Sequence, residues 1–236
     1  MGTRIAGILL MFAAAAWAQE QTVTIQGKVV DSEGNGVQDV DVSSLWDDGK
    51  PFGGVKTDAE GRFSLEAPFY GRPIAVMALD KERRRGRATR FSPGSFDKVR
   101  ELELETVVRV HGRFSCKELG EQPSWTNVYV SYLPGGIRFA QQGSNKAEFD
   151  LRLPPGDYSF YMYGADVKDV TVNRFIEGDE GEIDLGTIDL EATAIAKLYG
   201  KHCPELKISD ARGVKPDFKL ADLRGKYVLI EFWGSW

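Results

Sequence analysis

Two histidines and two cysteines are all this chain offers for imidazole or thiol chemistry. They fall in two unlike contexts, His111 with Cys116 and the adjacent pair His202-Cys203. Together they are the only possible His/Cys metal set, and adjacent His202 and Cys203 are poorly spaced for a tetrahedral zinc site. No metal and no cofactor is therefore expected. In an oxidising compartment Cys116 and Cys203 could form a disulfide, but spacing in the chain does not decide whether their Cα atoms approach within bonding distance. Buried free thiols are the equal alternative. Two histidines in unrelated contexts give no Ser-His-Asp arrangement.

Two charged stretches invite other chemistry. Asp31-Ser32-Glu33-Gly34-Asn35-Gly36 mimics the first half of a calcium-binding EF-hand loop. Its twelfth position, however, is Val42 where the loop needs a bidentate Glu, and its flanks read as strands, so calcium is excluded. Residues 81–90 hold six basic side chains. In an acidic protein they read as a solvated hairpin, with an acidic glycan or lipid contact as the alternative.

The elements that position these residues are set by a chain of 236 residues, 42% hydrophobic, 11% aromatic and 28% charged, with a net charge of −5. Those fractions exclude a disordered tail, a collagen-like repeat and a polytopic membrane protein. An evenly mixed, mildly acidic balance argues against nucleic-acid binding, which needs a clearly basic face. Arg4 followed by the apolar run 5–16 reads as a secretory leader, and Ala16-Trp17-Ala18 as its cleavage site, leaving Gln19 first in the mature chain. The run is too short to span a bilayer, so no stable membrane span is expected after cleavage; an uncleaved anchor is the competitor. The protein is expected to be exported, periplasmic or extracellular.

From Thr22 to about Leu104 apolar residues alternate with period two, broken by turns at residues 31–36 and 57–61. Val23, Ile25 and Val29 belong to a first strand, Val37, Val40 and Val42 begin a second, and Arg62-Phe63-Ser64-Leu65 resumes the alternation. A weaker copy follows. Gly112 stands 85 residues after Gly27 and Phe149 stands 86 after Phe63. Between them residues 126–133 alternate, Leu153-Pro154-Pro155-Gly156 turns into a strand over 158–163, and 183–190 supplies a last strand. Strands at this spacing predict sandwiches, and two copies of one sandwich type are preferred to one continuous β domain.

Composition changes after Glu191. Residues 192–199 are a linker or a short helix. Tyr227-Val228-Leu229-Ile230-Glu231-Phe232 is a nearly continuous apolar run of the kind buried on both faces of an α/β sheet, and no comparable run is read in the sandwich half.

Two families are echoed in these residues. Gly27-Lys28-Val29-Val30-Asp31 with Gly34, followed by Thr57-Asp58-Ala59-Glu60-Gly61-Arg62-Phe63, resembles the carboxypeptidase regulatory-like domain. That resemblance covers about eighty residues and implies a transthyretin-like β-sandwich with an extracytoplasmic accessory role and no catalytic residues. The stretch from Leu220 to Trp236, with Leu223-Arg224-Gly225-Lys226 and Phe232-Trp233, resembles the opening of TlpA/ResA-type thioredoxin-like (redoxin) domains. There Cys203-Pro204-Glu205-Leu206 stands in place of the family's Ala-Pro opening. The resemblance implies a thiol-disulfide oxidoreductase whose Cys-x-x-Cys pair would follow Trp236. Glu231 matches the buried acid that relays a proton in such domains, or else pairs with a basic neighbour; Trp233 and Trp236 match aromatics that support the active-site turn.

The expected architecture is mainly β: leader 1–18, a carboxypeptidase regulatory-like sandwich 19–104, a second sandwich 105–192, and an incomplete thioredoxin-like α/β segment 193–236, of which residues 200–236 should pack poorly. The expected function is the N-terminal fragment of an exported thiol-disulfide oxidoreductase, acting on protein thiols or disulfides, with the sandwiches as spacer or docking unit. Without the cysteine pair this chain itself should be inactive. The alternative is a non-catalytic secreted β-sandwich protein binding carbohydrate or a cell-envelope partner.

Overall fold

The computed structural model describes residues 21–120, 122–135, 138–202, 212–215, 217–229 and 231. The expected leader and cleavage site, Cys203 and residues 232–236 lie outside them. The first strands are β1 (Gln21–Val30), β2 (Asp41–Ser43), β3 (Trp46–Asp47), β4 (Lys50–Pro51), β5 (Val55–Lys56), β6 (Arg62–Phe69), β7 (Ile74–Leu79), β8 (Arg85–Phe91), β9 (Arg100–Glu103) and β10 (Glu105–Thr106). The second run comprises β11 (Val108–Ser115), β12 (Thr126–Tyr132), β13 (Arg138–Ser144), β14 (Glu148–Leu153), β15 (Gly156–Gly164), β16 (Val167–Ile176) and β17 (Glu182–Asp189).

These strands build one topology twice. The sheet β6-β1-β9, with β1 antiparallel to β6 and parallel to β9, repeats as β14-β11-β17 with the same directions. Facing it, the antiparallel order β8-β7-β2-β5 repeats as β16-β15-β12-β13. Each pair of sheets closes on inward-facing side chains, Ile25, Val42, Leu65, Val76 and Phe91 in the first and Val110, Val128, Leu151 and Phe160 in the second. The alternation that marks these strands is the pleat itself: successive residues face opposite sides, so one buried face demands period two.

The residues that carry the first resemblance have identifiable backbone jobs. Gly27 is paired with Phe63 across β1 and β6, and a β-carbon at Gly27 would fall 2.5 Å from the Phe63 ring. The Asp31 carboxylate accepts the backbone N–H groups of Glu33 and Asn35, both at 2.9 Å. Asp58 does the same for Glu60 and Arg62, at 3.0 and 2.7 Å. Thr57, fully inside, accepts the Val40 N–H at 3.0 Å and donates to the Val37 carbonyl at 2.6 Å. The EF-hand-like stretch is thus a turn that consumes its own carboxylate. Backbone donation, that of Asn35 foremost, holds the Asp31 carboxyl below its ordinary range.

Three features depart from the sequence reading. Residues 37–40 are turn and extended chain, and the second strand begins only at Asp41. More consequentially, β7 is itself an apolar run buried on both faces, and every one of its six residues is buried. Ile74, Val76 and Ala78 fill the first core, while Ala75, Met77 and Leu79 join Ala88 in the core of the second sandwich. Between β2 and β5 the chain also leaves its own sandwich. The hairpin β3–β4, turned through Asp48 and Gly49 at positive φ as a two-residue loop requires, pairs β3 parallel with β13. Trp46 is inserted, 1% exposed, into the second core.

The incomplete thioredoxin-like α/β segment is the third departure. Among the described residues of 193–236 there are two 3-10 turns, Ala196–Leu198 and Leu220–Leu223, and no strand. Tyr227 and Leu229 are 108% and 94% exposed. An apolar run forms a doubly covered strand only when neighbours supply hydrogen bonds on its edges and packing on its faces, and none of the described residues does so here.

Candidate ligand-binding face

Alternation along β12 and β15 sends Val128, Val130, Tyr158, Phe160 and Met162 inward. The intervening residues face out of the sheet. Asn127 and Tyr129 of β12 stand opposite Tyr163 and Tyr161 of β15, and β13 contributes Arg138 and Gln141 on the same side. This face carries rings, amides and a guanidinium, with the carboxylates of Asp169 and Asp47 beside them.

The rings form a contiguous array. Tyr129 lies 5.3 Å from Tyr163 at 70° and 6.3 Å from Tyr161, Tyr161 lies 5.5 Å from Tyr163, and Trp125 meets Tyr163 edge-on at 5.4 Å. These are offset and edge-to-face separations at which aromatic pairs attract. The Arg138 guanidinium sits 4.5 Å above the Tyr129 ring, a cation–π contact, and donates to Gln141 Oε1 at 2.9 Å. Gln141 in turn donates to Asp47 at 2.7 Å. Trp125 and Tyr161 keep 38% and 39% of their surface exposed.

Mutual packing has an electrostatic consequence. Partial burial, then the hydrogen bond with Tyr129, pushes the Tyr163 hydroxyl up to about 12. Burial and the nearby Asp169 carboxylate raise Tyr161 as well. The hydroxyls therefore stay protonated and can donate as well as accept. The side-chain oxygen of Asn127 is buried with no hydrogen-bond partner among the described residues. Such an acceptor is uncommon and is satisfied when water or a ligand hydroxyl reaches it. Ring faces for C–H surfaces, surrounded by hydroxyl, amide and guanidinium groups, are the chemistry of a flat polar ligand.

A second polar cluster lies on the outer side of β14-β11-β17. Arg109 binds Asp150 through two nitrogens, the shortest contact 2.7 Å, and reaches Glu182 at 3.1 Å. His111 Nε2 lies 2.6 Å from Glu182, and its Nδ1 3.6 Å from Asp184. The cluster borders a cleft of about 360 Å³ but its charges are mutually satisfied, and it ties β11 to both neighbours.

The other residues singled out in the sequence are dispersed. Cys116 is a buried free thiol in the second core, and Cys203 lies outside the described residues. His202 is exposed beyond the first 3-10 turn, remote in the chain from His111. No group of three His, Cys, Asp or Glu residues among the described ones is arranged to hold a metal. Glu231 is exposed and outside any strand. Of the basic run, Arg84 pairs with Glu82, Arg85 with Asp80 and Arg87 with Glu105, while Arg90 reaches across to donate to the Tyr132 carbonyl at 3.1 Å. The hairpin reading therefore describes it well. The aromatic array was missed, although Tyr129, Tyr161 and Tyr163 at polar-phase positions of alternating strands were its visible signal.

The fold and this face define a mainly β protein of two sandwiches with an aromatic-polar outer surface. No protein-family model matches the chain, and no curated protein matches it. Solved structures similar to it include the TIE protein of Bacillus anthracis (TM-score 0.35, 12% identity, 72% of this chain and 34% of that one). A streptococcal ancillary pilin is another (TM-score 0.36, 11% identity, 73% and 63%). A third is the shaft pilin SpaA of Lactobacillus rhamnosus GG (TM-score 0.30, 9% identity, 73% and 98%). The chain thus spans about a third of the first protein and under two thirds of the second.

Proposed function

We propose that this chain is a non-catalytic, exported β-sandwich binding protein whose ligand is a glycan held on the Trp125–Tyr129–Tyr161–Tyr163 face. The observation that carries this reading is the array itself: three tyrosine rings in mutual contact on an outward sheet face, with Trp125 edge-on to Tyr163, beside Asn127, Gln141 and Arg138. Rigid aromatic side chains supply large contact area at low entropic cost, and neighbouring amides adapt their hydrogen bonds. Sugar rings present what that surface accepts, an apolar C–H face edged by hydroxyls. The leader expected at residues 1–18 and the resemblance of residues 27–63 to the carboxypeptidase regulatory-like domain support an extracytoplasmic accessory role.

The test is affinity electrophoresis of the chain against a panel of neutral and acidic polysaccharides, with Tyr129→Ala and Tyr129→Phe alongside. Retardation by at least one polymer is expected, weakened about ten-fold by loss of the ring and kept by Phe. Mobility unchanged across the panel, or binding indifferent to Tyr129→Ala, would refute it.

The oxidoreductase reading is carried by the sequence of residues 220–236 alone. In it Glu231 relays the exchange proton and the sandwiches act as a spacer on protein thiols or disulfides. Insulin reduction above a cysteine-free control, weakened in Glu231→Gln, is the result that would favour it.

A further inference from the structure

Beside the aromatic face, where the two sandwiches meet, lies a cleft of about 250 Å³. The β6–β7 turn contributes Tyr70 and Arg72, the chain before β3 contributes Leu45, and β13 contributes Arg138. Arg138 therefore belongs to two surfaces at once, lining this cleft while its guanidinium covers the Tyr129 ring.

The charge inside the cleft is one-sided. Among the described residues Arg72 and Arg138 line it, no Asp or Glu does, and neither arginine is in a salt bridge. Each of the four other clefts described has at least one carboxylate in its lining. In a chain of net charge −5, two arginines without a carboxylate partner in the lining of one cavity are a local inversion of the protein's charge. Guanidinium forks bind carboxylate and sulfate oxygens in pairs, with geometry as well as charge. Leu45, Pro68, Ile74 and Ala75 supply the apolar remainder of the walls.

We infer that the glycan is anionic: a saccharide lies along the tyrosine face and passes into this cleft, where Arg138 and Arg72 hold a carboxylate or sulfate substituent of one of its rings. This rests on the glycan-binding reading above and names its substrate class. The step is binding alone, and no bond is made or broken. Arg138, stacked on Tyr129, is the hinge between ring recognition and charge recognition.

The experiment titrates the chain, followed by intrinsic tryptophan and tyrosine fluorescence, with two matched pairs of polymers. Oligogalacturonate is compared with its full methyl ester, which keeps the ring and removes the charge; dextran sulfate is compared with dextran. The anionic member of at least one pair is expected to bind about ten-fold or more tightly than its neutral partner. Which pair responds separates carboxylate from sulfate. Arg72→Gln and Arg138→Gln should each erase most of that difference while melting as the parent does, and Arg113→Gln, on the far cleft, should not.

Equal affinity within both pairs, or a preference for the anion that survives both arginine substitutions, overturns the inference. If neutral polymers bind and Tyr129→Ala weakens them, the glycan reading stands and the anionic class alone fails. If nothing in either pair or in the wider panel binds, both fail.

Discussion

Phe149 lies over Gly112 across neighbouring strands, so close that a β-carbon on the glycine would stand 2.9 Å from two atoms of its ring. The same pair recurs in the first sandwich as Phe63 over Gly27. In both, the glycine leaves a notch in the central strand of a three-stranded sheet and the ring fills it, so the notch and the aromatic specify the register together.

Ala at either glycine must displace a ring that is itself core. Gly112→Ala and Gly27→Ala are each expected to destabilise the fold by about 1–3 kcal/mol, the scale of an overpacked core. Urea midpoints with unchanged slope are the measurement. Wild-type stability in both variants would show that the rings move aside freely.

The two sandwiches share a core through β7 and Trp46, and two bodies joined by buried apolar side chains should unfold as one. A single calorimetric transition is expected for the parent chain. Trp46→Ala, which empties a nearly fully buried site, should cost about 3–5 kcal/mol and split or broaden that transition. Two resolved transitions in the parent would mean that the seam contributes little.

The Arg109 hydrogen bonds and charge hold the Asp150 carboxyl below its ordinary range. A carboxyl depressed in the folded state contributes stability that is fully present above its unfolded value, about 3.9. That contribution fades as pH falls through the lower folded value. Melting temperatures between pH 6 and 2.5 should therefore drop more steeply for the parent than for Arg109→Gln, the curves converging at the acid end. The pair is largely exposed, so the effect is small, and 1 M salt should shrink it. Parallel curves at all pH values would exclude the pair as a source of acid sensitivity.

Much of this was legible in the chain. Alternation at 22–30, 126–132 and 182–189 announced strands because one face of each is buried, and Asp31, Asp58, Gly34 and Gly61 announced turns through side-chain acceptance and positive φ. The repeat was visible in Gly27 and Gly112, 85 residues apart. Less legible was β7, whose apolar run has no period to reveal two buried faces. The hairpin at 46–51 was hidden for a related reason: Asp48-Gly49 signals a tight turn but not which sheet the hairpin joins.

The sequence by itself determined the two-fold succession of strands and turns, since each depends on residues a few positions apart. It also supplied the tyrosines, in the outward phase of β12 and β15. The tertiary structure decided that Ala75, Met77 and Leu79 face another sandwich instead of water, and that Trp46 crosses to β13. It also brought Arg72 and Arg138, 66 positions apart, to one cleft beside Tyr129. Those outcomes turn on which surfaces meet after the chain has closed long loops, and local periodicity carries no record of that choice.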